Sequence, residues 1–457
     1  PRGTMSDLAD VEARSLSMLR REPAVYTGNL IAANARFACY AIPTGVIRVI
    51  DRKTEALGLL RGHTREVVDI RFLSDDRASA SEGFLVGSVA NDGHLFVWRL
   101  RATDGAITTE QVFKTTGDVA IPGQADRVSL ARLSASSIAV AAVLGGGASV
   151  WQHDDDLQGE EAPPPARPGA GLGGNLTAID LVPLAAGGAA ALACGAADGF
   201  VSVGLYAAGT GLSPAGAPFS AHAGGRWGGV SALAFCEAAP AGQRTILLTA
   251  GEANYKLCLW SVDVTGGEPP SCIHSLAVPD LPGVPPRAPL LWGLEKSSRT
   301  LLLVSSAAVT AAPSTILALR LGTGMDSLTS SGRFNANARV LSFAPVSAPA
   351  AHGDDALLRP HAPDLDVQLL CVQTDGVQCL TIHAGQMAPA PVIHTGPKSP
   401  AAVTPPAVAL AGPSLGVVPP PPPALHLGSP ATPAASPRFK SGTFPRPPTP
   451  PPTPPPT

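Results

Sequence analysis

Four residues in one short stretch could do chemistry together: His63, Ser88, Asp92 and Trp98. A serine, a histidine and an aspartate are the parts of a nucleophilic hydrolase, but that chemistry needs an exposed Oγ beside an oxyanion hole. The same residue types can instead hydrogen-bond in series and pin adjacent strands, with Asp92 and Ser88 fixing the His63 imidazole and the Trp98 indole N–H closing the chain. Their surroundings favour the second use. Arg61-Gly62-His63-Thr64 leads into an apolar strand (Val67, Val68, Ile70, Phe72), and an Asp92-Gly93 turn leads into an alternating strand that ends at Trp98. The tetrad is therefore expected to be internal and structural.

The remaining reactive residues form no site by spacing. Gly169-Ala170-Gly171-Leu172-Gly173-Gly174 fits G-x-G-x-x-G, yet it follows a Pro-rich loop and not a strand, so it lacks the context of a dinucleotide site. Asp154, Asp155, Asp156, Glu160 and Glu161 read as a solvated acidic loop. The seven cysteines include no C-x-x-C pair, which argues against zinc and fits reduced thiols inside a cell. No catalytic residue, cofactor or metal is called for. Arg48, Arg52, Lys53, Arg61, Arg65 and Arg71 make a local basic excess that could touch RNA phosphates or an acidic partner segment. A net charge of −3 with 15% charged residues gives no global field for nucleic acid or a membrane surface. The most apolar windows, 181–200 and 301–319, are interrupted by Pro183, Asp198 and Pro313, so no membrane span is expected.

The elements that must hold the tetrad repeat along the chain. Alternating strands end at 45–50, 93–98, 147–151, 199–203, 255–260, 315–319 and 376–380, roughly 48 to 61 residues apart. Small-residue strands such as 84–88, 138–142 and 245–250 precede them and would let neighbouring units pack closely around an axis. Seven such units predict an all-β fold, a seven-bladed WD40 β-propeller, over 28–383, with the repeated strands innermost. Residues 1–27 are expected to be a lead-in, partly helical or disordered, because Leu8, Val11, Leu16 and Leu19 have roughly helical spacing. Residues 384–457, rich in Pro, Ala, Ser and Thr, are expected to be a disordered tail. The opening Pro1-Arg2-Gly3-Thr4-Met5 reads as a fragment or an incomplete gene start.

The line from Gly28-Asn29-Leu30-Ile31 through Gly45-Val46-Ile47-Arg48-Val49 and Arg61-Gly62-His63-Thr64 to Phe96-Val97-Trp98 resembles the start of the WD-repeat domain of the Varicose/Hedls family, the enhancer-of-mRNA-decapping scaffolds. The segments 246–251, 256–260 and 367–378 resemble that family's fifth and last blades. The resemblance implies a non-enzymatic scaffold that brings decapping enzyme and decapping activator subunits together in 5′-to-3′ mRNA decay. It also implies a cytoplasmic location in P-bodies. The alternative is an adaptor of another pathway, such as a ubiquitin-ligase substrate receptor or a trafficking subunit, built on the same fold.

Overall fold

Short runs of Val, Ile, Leu and Ala bounded by Gly, Asp and Asn turns fold here as strands buried on both faces. The computed structural model describes residues 9–24, 26, 28–73, 83–103, 105–115, 125–144, 146–154, 175–185, 187–222, 229–236, 244–281, 284–308, 312–322, 328–347 and 366–389. The chain divides into two units, Pro1–Ser399 and Pro400–Thr457. All of the second unit lies outside the described residues, as do the expected tail from 390 onward, the glycine run at 169–174 and the acidic residues 155, 156, 160 and 161.

The described strands form seven sheets, a seven-bladed β-propeller. Blade 1 is Ile31–Ala33, Phe37–Ala41, Ile47–Asp51 and Leu57–Leu60; blade 2 is Val67–Phe72, Phe84–Ala90, Leu95–Thr103 and Ala106–Lys114. Blade 3 is Ala125–Arg132, Ser137–Leu144 and Gly147–Asp154; blade 4 is Leu176–Pro183, Ala189–Ala196, Phe200–Ala207 and Gly211–Pro214, with Phe219–Ser220 also on its third strand. Blade 5 is Val230–Phe235, Arg244–Gly251, Lys256–Asp263 and Ser271–Ala277; blade 6 is Leu290–Glu295, Thr300–Ser305, Thr315–Leu321 and Leu328–Asn335. Blade 7 takes Val340–Ser347, Val367–Gln373 and Gly376–Ile382 from the end of the ring and its fourth strand, Glu12–Met18, from the beginning.

That closing strand corrects the helical reading of the lead-in. A lone helix of that length is marginal in water, whereas the open edge of Gly376–Ile382 offers unpaired backbone groups to any extended segment that reaches it. Glu12 to Ser15 stay exposed while Leu16 and Leu19 pack beside Tyr40, Leu370 and Val377 between blades 7 and 1. A second short strand, Ala9–Asp10, pairs in parallel with blade 6 at Phe334 and Asn335. Beyond the last blade a 3-10 turn, Ala384–Gln386, leads to Ala388–Pro389, which pairs with Ser330 and Ser331 of blade 6.

The repeated strands expected to be innermost are the third strand of each sheet. The first strands face the axis, because they are the ones that bond across from blade to blade: Ile70 N–H donates to Asn29 O at 2.9 Å and Leu30 N–H to Ser342 Oγ at 3.0 Å. The small-residue strands are second, and Ser137–Leu144 is buried along its whole length. A Cβ on Gly87 would lie 2.7 Å from Leu130 Cδ1, and one on Gly195 would lie 2.5 Å from Val230 Cγ1. Glycine at these two places lets the first strand of the next blade approach at full packing density.

Candidate functional site

In blade 2 the turn after Phe84–Ala90 aims Asp92 back at the loop that precedes the blade. His63 Nδ1 lies 3.3 Å from Asp92 Oδ1, His63 Nε2 lies 2.9 Å from Ser88 Oγ, and Trp98 Nε1–H donates to Ser88 Oγ at 3.2 Å. These partners assign the proton to Nδ1, leaving Nε2 to accept from the Ser88 hydroxyl. Asp92 also accepts the N–H groups of Thr64 at 2.7 Å and His94 at 3.0 Å. Burial pulls the Asp92 carboxyl upward, but the hydrogen bonds from His63, Thr64 and His94 outweigh it and hold it well below the usual carboxylate range. Ser88 is fully buried, its proton and one lone pair committed, and the His63 ring meets Phe96 edge-on at 4.6 Å. The arrangement ties a loop to the second and third strands of the blade and to the turn between them, and presents no exposed nucleophile.

Blade 5 carries an incomplete counterpart that the sequence reading missed. His222 Nε2 lies 2.9 Å from Thr249 Oγ1, and Trp260 Nε1–H donates to Thr249 Oγ1 at 3.1 Å. Among the described residues no carboxylate faces the other nitrogen, and His222 Nδ1 is buried without a hydrogen-bond partner. The reason is local. Ser88 pairs with Phe96, but Thr249 pairs with Cys258, so this turn is one residue longer; Glu252, Ala253 and Asn254 all take positive φ there. Burial, with Lys256 nearby, pulls the His222 pKa down to about 4 against a weaker opposing bond to the Thr249 backbone. The signal was present in the sequence as Thr249 and Trp260, with a histidine upstream.

Around the axis runs a second network that spacing had not revealed. Asp69 accepts from Asn29 N–H at 2.7 Å and Val128 N–H at 2.9 Å, linking blades 1, 2 and 3. Ser129 Oγ accepts from Leu181 N–H at 3.0 Å and donates to Asp180 at 3.2 Å; Asp180 accepts from Phe235 N–H at 2.9 Å. Ser342 serves Leu30 in the same way. The first strands of blades 2, 3, 4 and 7 thus each offer one short polar side chain to the free N–H edge of the next, which answers the edge-strand problem at those places on the axis. Arg71 of blade 2 and Lys296, just after the first strand of blade 6, approach Asp180 of blade 4 at 3.6 and 3.9 Å, a meeting of non-adjacent blades that only the axis permits. Burial raises the Asp69 carboxyl, opposed by Arg71, Arg127 and the two N–H donors. In the sequence the mark was a lone polar residue inside an apolar strand: Val68-Asp69-Ile70, Val128-Ser129-Leu130, Ile179-Asp180-Leu181 and Leu341-Ser342-Phe343.

The six basic residues do not gather on one face. Arg61 and Arg65 are exposed in the loop before blade 2, against the turn that holds Gly45, whose Cβ would lie 2.5 Å from Arg65 O. Arg48 begins the strand leaving that turn and reaches Tyr40 Oη at 3.4 Å. Arg52 and Lys53 sit at the opposite end of blade 1, where Asp51 pairs with Phe37; Arg52 donates to Asn34 O at 2.5 Å and to Gln368 of blade 7. Arg71, at the far end of its strand, turns to the axis. A seventh cation, Arg21, is buried at the ring closure. It donates to Ala41 O at 3.0 Å and to Tyr26 Oη at 2.9 Å, stacks over the Tyr26 ring at 4.7 Å, and pairs with Glu66. The segment after the closing strand is thereby fastened to blades 1 and 2.

A match to a known family covers this closing segment, both complete early blades and the first strand of blade 3. Residues 11–133 match the profile described as the WD40 region of Ge1, enhancer of mRNA-decapping protein. Over that stretch the chain is similar to the Ge1 family. The Ge1-like stretch contains the tetrad, the Arg21 clasp and all six basic residues, and it bears out the family resemblance read from the first two blades; the later pieces, 246–251, 256–260 and 367–378, lie outside it. No curated protein matches the chain. Among solved structures, a chain of the mitotic checkpoint complex is 12% identical with a TM-score of 0.51, covering 84% of this chain and 94% of that one. The WD40 domain of Toxoplasma gondii coronin is 13% identical with a TM-score of 0.48, covering 82% and 87%. The β-propeller domain of Cps50 (Swd1) from Myceliophthora thermophila is 12% identical with a TM-score of 0.49, covering 81% and 99%. At such identities the likeness is one of fold alone.

Proposed function

We propose that the protein is a non-enzymatic docking scaffold in mRNA decapping and 5′-to-3′ decay, acting in cytoplasmic P-bodies by holding decapping activator and decapping enzyme subunits near one another. The observation that carries this reading is the Ge1 match over residues 11–133. A scaffold of this kind raises the effective concentration of one bound partner at another and needs no reacting group of its own. The committed, buried Ser88 supports docking over hydrolysis. The division of Arg48, Arg61 and Arg65 from Arg52, Lys53 and Arg71 supports protein partners over a single RNA track, which would need its cations in one line.

Affinity purification of the tagged full-length chain tests the reading. Decapping subunits are expected among the recovered proteins, at P-body foci in the same cells. Recovery of ubiquitin-ligase or coat subunits in their place, under conditions where another decapping bait retrieves its partners, overturns it in favour of the adaptor.

A further inference from the structure

We propose that Arg71, Asp180 and Lys296 form an oxyanion site on the propeller axis that takes hydrogen phosphate, either free or as the terminal group of a small phosphorylated compound. Such a site stands whether or not the ring docks decapping factors. Arg71 is the last residue but one of the first strand of blade 2, Val67–Phe72, and Lys296 directly follows the first strand of blade 6, Leu290–Glu295. First strands run the same way around a ring of like blades, so both side chains leave the backbone at the same end of the axis. They meet one carboxylate of blade 4 at its two oxygens: Arg71 Nη1 lies 3.6 Å from Asp180 Oδ1, and Lys296 Nζ lies 3.9 Å from Asp180 Oδ2.

At those distances the groups attract but do not hydrogen-bond. Among the described residues Arg71 donates no hydrogen bond, and its Nε is buried without a partner although Asp69 Oδ2 lies 3.8 Å away. Native structures rarely leave a buried donor of a cation unspent. The neighbouring acids are held elsewhere. Asp69 accepts the Asn29 and Val128 N–H groups, Asp180 accepts from Ser129 Oγ and Phe235 N–H, and Glu295 accepts the Ser297 and Ser298 N–H groups of its own turn. Arg71 and Arg127 act on Asp69, and Arg71 and Lys296 on Asp180, so three cations stand about two carboxylates. Solvent reaches the unspent donors: the Arg71 side chain is 24% exposed and that of Lys296 37%, against 7% for Asp180.

The donor set selects the ligand. A guanidinium offers paired N–H groups to an oxyanion, and an ammonium offers a point charge with three donors. A carboxylate between them repels an anion that has no proton to give. Hydrogen phosphate has one: its O–H donates to a second lone pair of Asp180 while its other oxygens accept from Arg71 and Lys296. Sulfate carries no proton at neutral pH and would meet Asp180 with like charge alone. Because both cations converge on a single carboxylate, the space suits one small anion and not an extended strand.

Calorimetric titration of the native full chain with inorganic phosphate, methyl phosphate and sulfate, at neutral pH and constant ionic strength, tests the site. Saturable phosphate binding is expected, about tenfold or more tighter than that of sulfate and about tenfold weaker in Lys296→Gln. The melt of that variant should match the native chain, because Lys296 makes no hydrogen bond among the described residues. Methyl phosphate binding as well as inorganic phosphate assigns the site to a terminal phosphate group; inorganic phosphate binding alone assigns it to the free ion. No saturable phosphate binding, equal binding of phosphate and sulfate, or phosphate affinity unchanged in both Lys296→Gln and Arg71→Gln overturns the proposal.

Discussion

The two histidines of blades 2 and 5 meet different partners at Nδ1, and for His222 the consequence is felt in acid. His63 has a carboxylate at Nδ1; His222 has a buried Nδ1 with no partner among the described residues. Protonating His222 would bury a charge beside Lys256, which is why its folded pKa lies at about 4, below the ordinary imidazole value of 6.5. A histidine whose folded pKa is depressed contributes stability that is complete above the unfolded value and is lost as pH falls from there toward the folded one. Between pH 7 and pH 5 those two pKa values cost the fold about 2 kcal/mol from this residue. Urea unfolding of the native chain and of His222→Gln, each at pH 7 and pH 5, isolates the contribution, since every other group titrates in both. The stability advantage of the native chain over the variant should shrink by about 2 kcal/mol on going to pH 5. Carbon-13 histidine NMR should show the His222 ring neutral at pH 5. Parallel pH curves for the two chains, or titration of the His222 resonance near 6.5, would refute the reasoning.

Asp92→Ala removes the acceptor of His63, Thr64 and His94 and should lower stability by about 1–3 kcal/mol; because the Asp92 pKa is depressed by folding, the native chain's advantage over this variant is present above pH 4 and fades in more acidic urea melts. Asp69→Ala strands the Asn29 and Val128 N–H groups at the axis and should cost about 2–4 kcal/mol, with faster amide exchange at both positions as the specific readout. Gly251→Ala places a Cβ 2.4 Å from His222 Cγ and should displace the imidazole, abolishing the protected ring seen by NMR. Removing residues 9–18 takes away the fourth strand of blade 7 and should expose Gly376–Ile382 to rapid exchange and proteolysis while the outer strand of blade 2 stays protected.

The propeller was legible in the sequence because the third strands announce themselves: a turn glycine or asparagine, alternation, and a terminal Trp98, Trp151 or Trp260. The tetrad was legible for the same reason, since all four residue types in blade 2 keep their spacing. In blade 5 one added turn residue hid the matching set, and substitution of Ser by Thr hid it further. The axial network was hidden by its economy, because a single Asp69 or Ser129 within an apolar strand looks like a lapse in the pattern until the neighbouring strand's N–H is placed beside it. The closing strand misled through its spacing: Leu16 and Leu19 serve one interblade core, and three-residue spacing of two leucines suits a bulged edge strand as well as a helix turn. The basic residues looked contiguous in sequence, but a strand of five residues separates the two ends of a blade, so Arg48 and Arg52 face different rims.

Direct binding tests the central proposal, that this ring works by docking decapping factors. Calorimetric titration of the purified full chain with purified decapping activator and decapping enzyme subunits should give saturable binding to at least one of them at about micromolar affinity or tighter. Flat titrations with both subunits, while those subunits bind each other in the same buffer and the chain keeps its folded melt, would contradict the account.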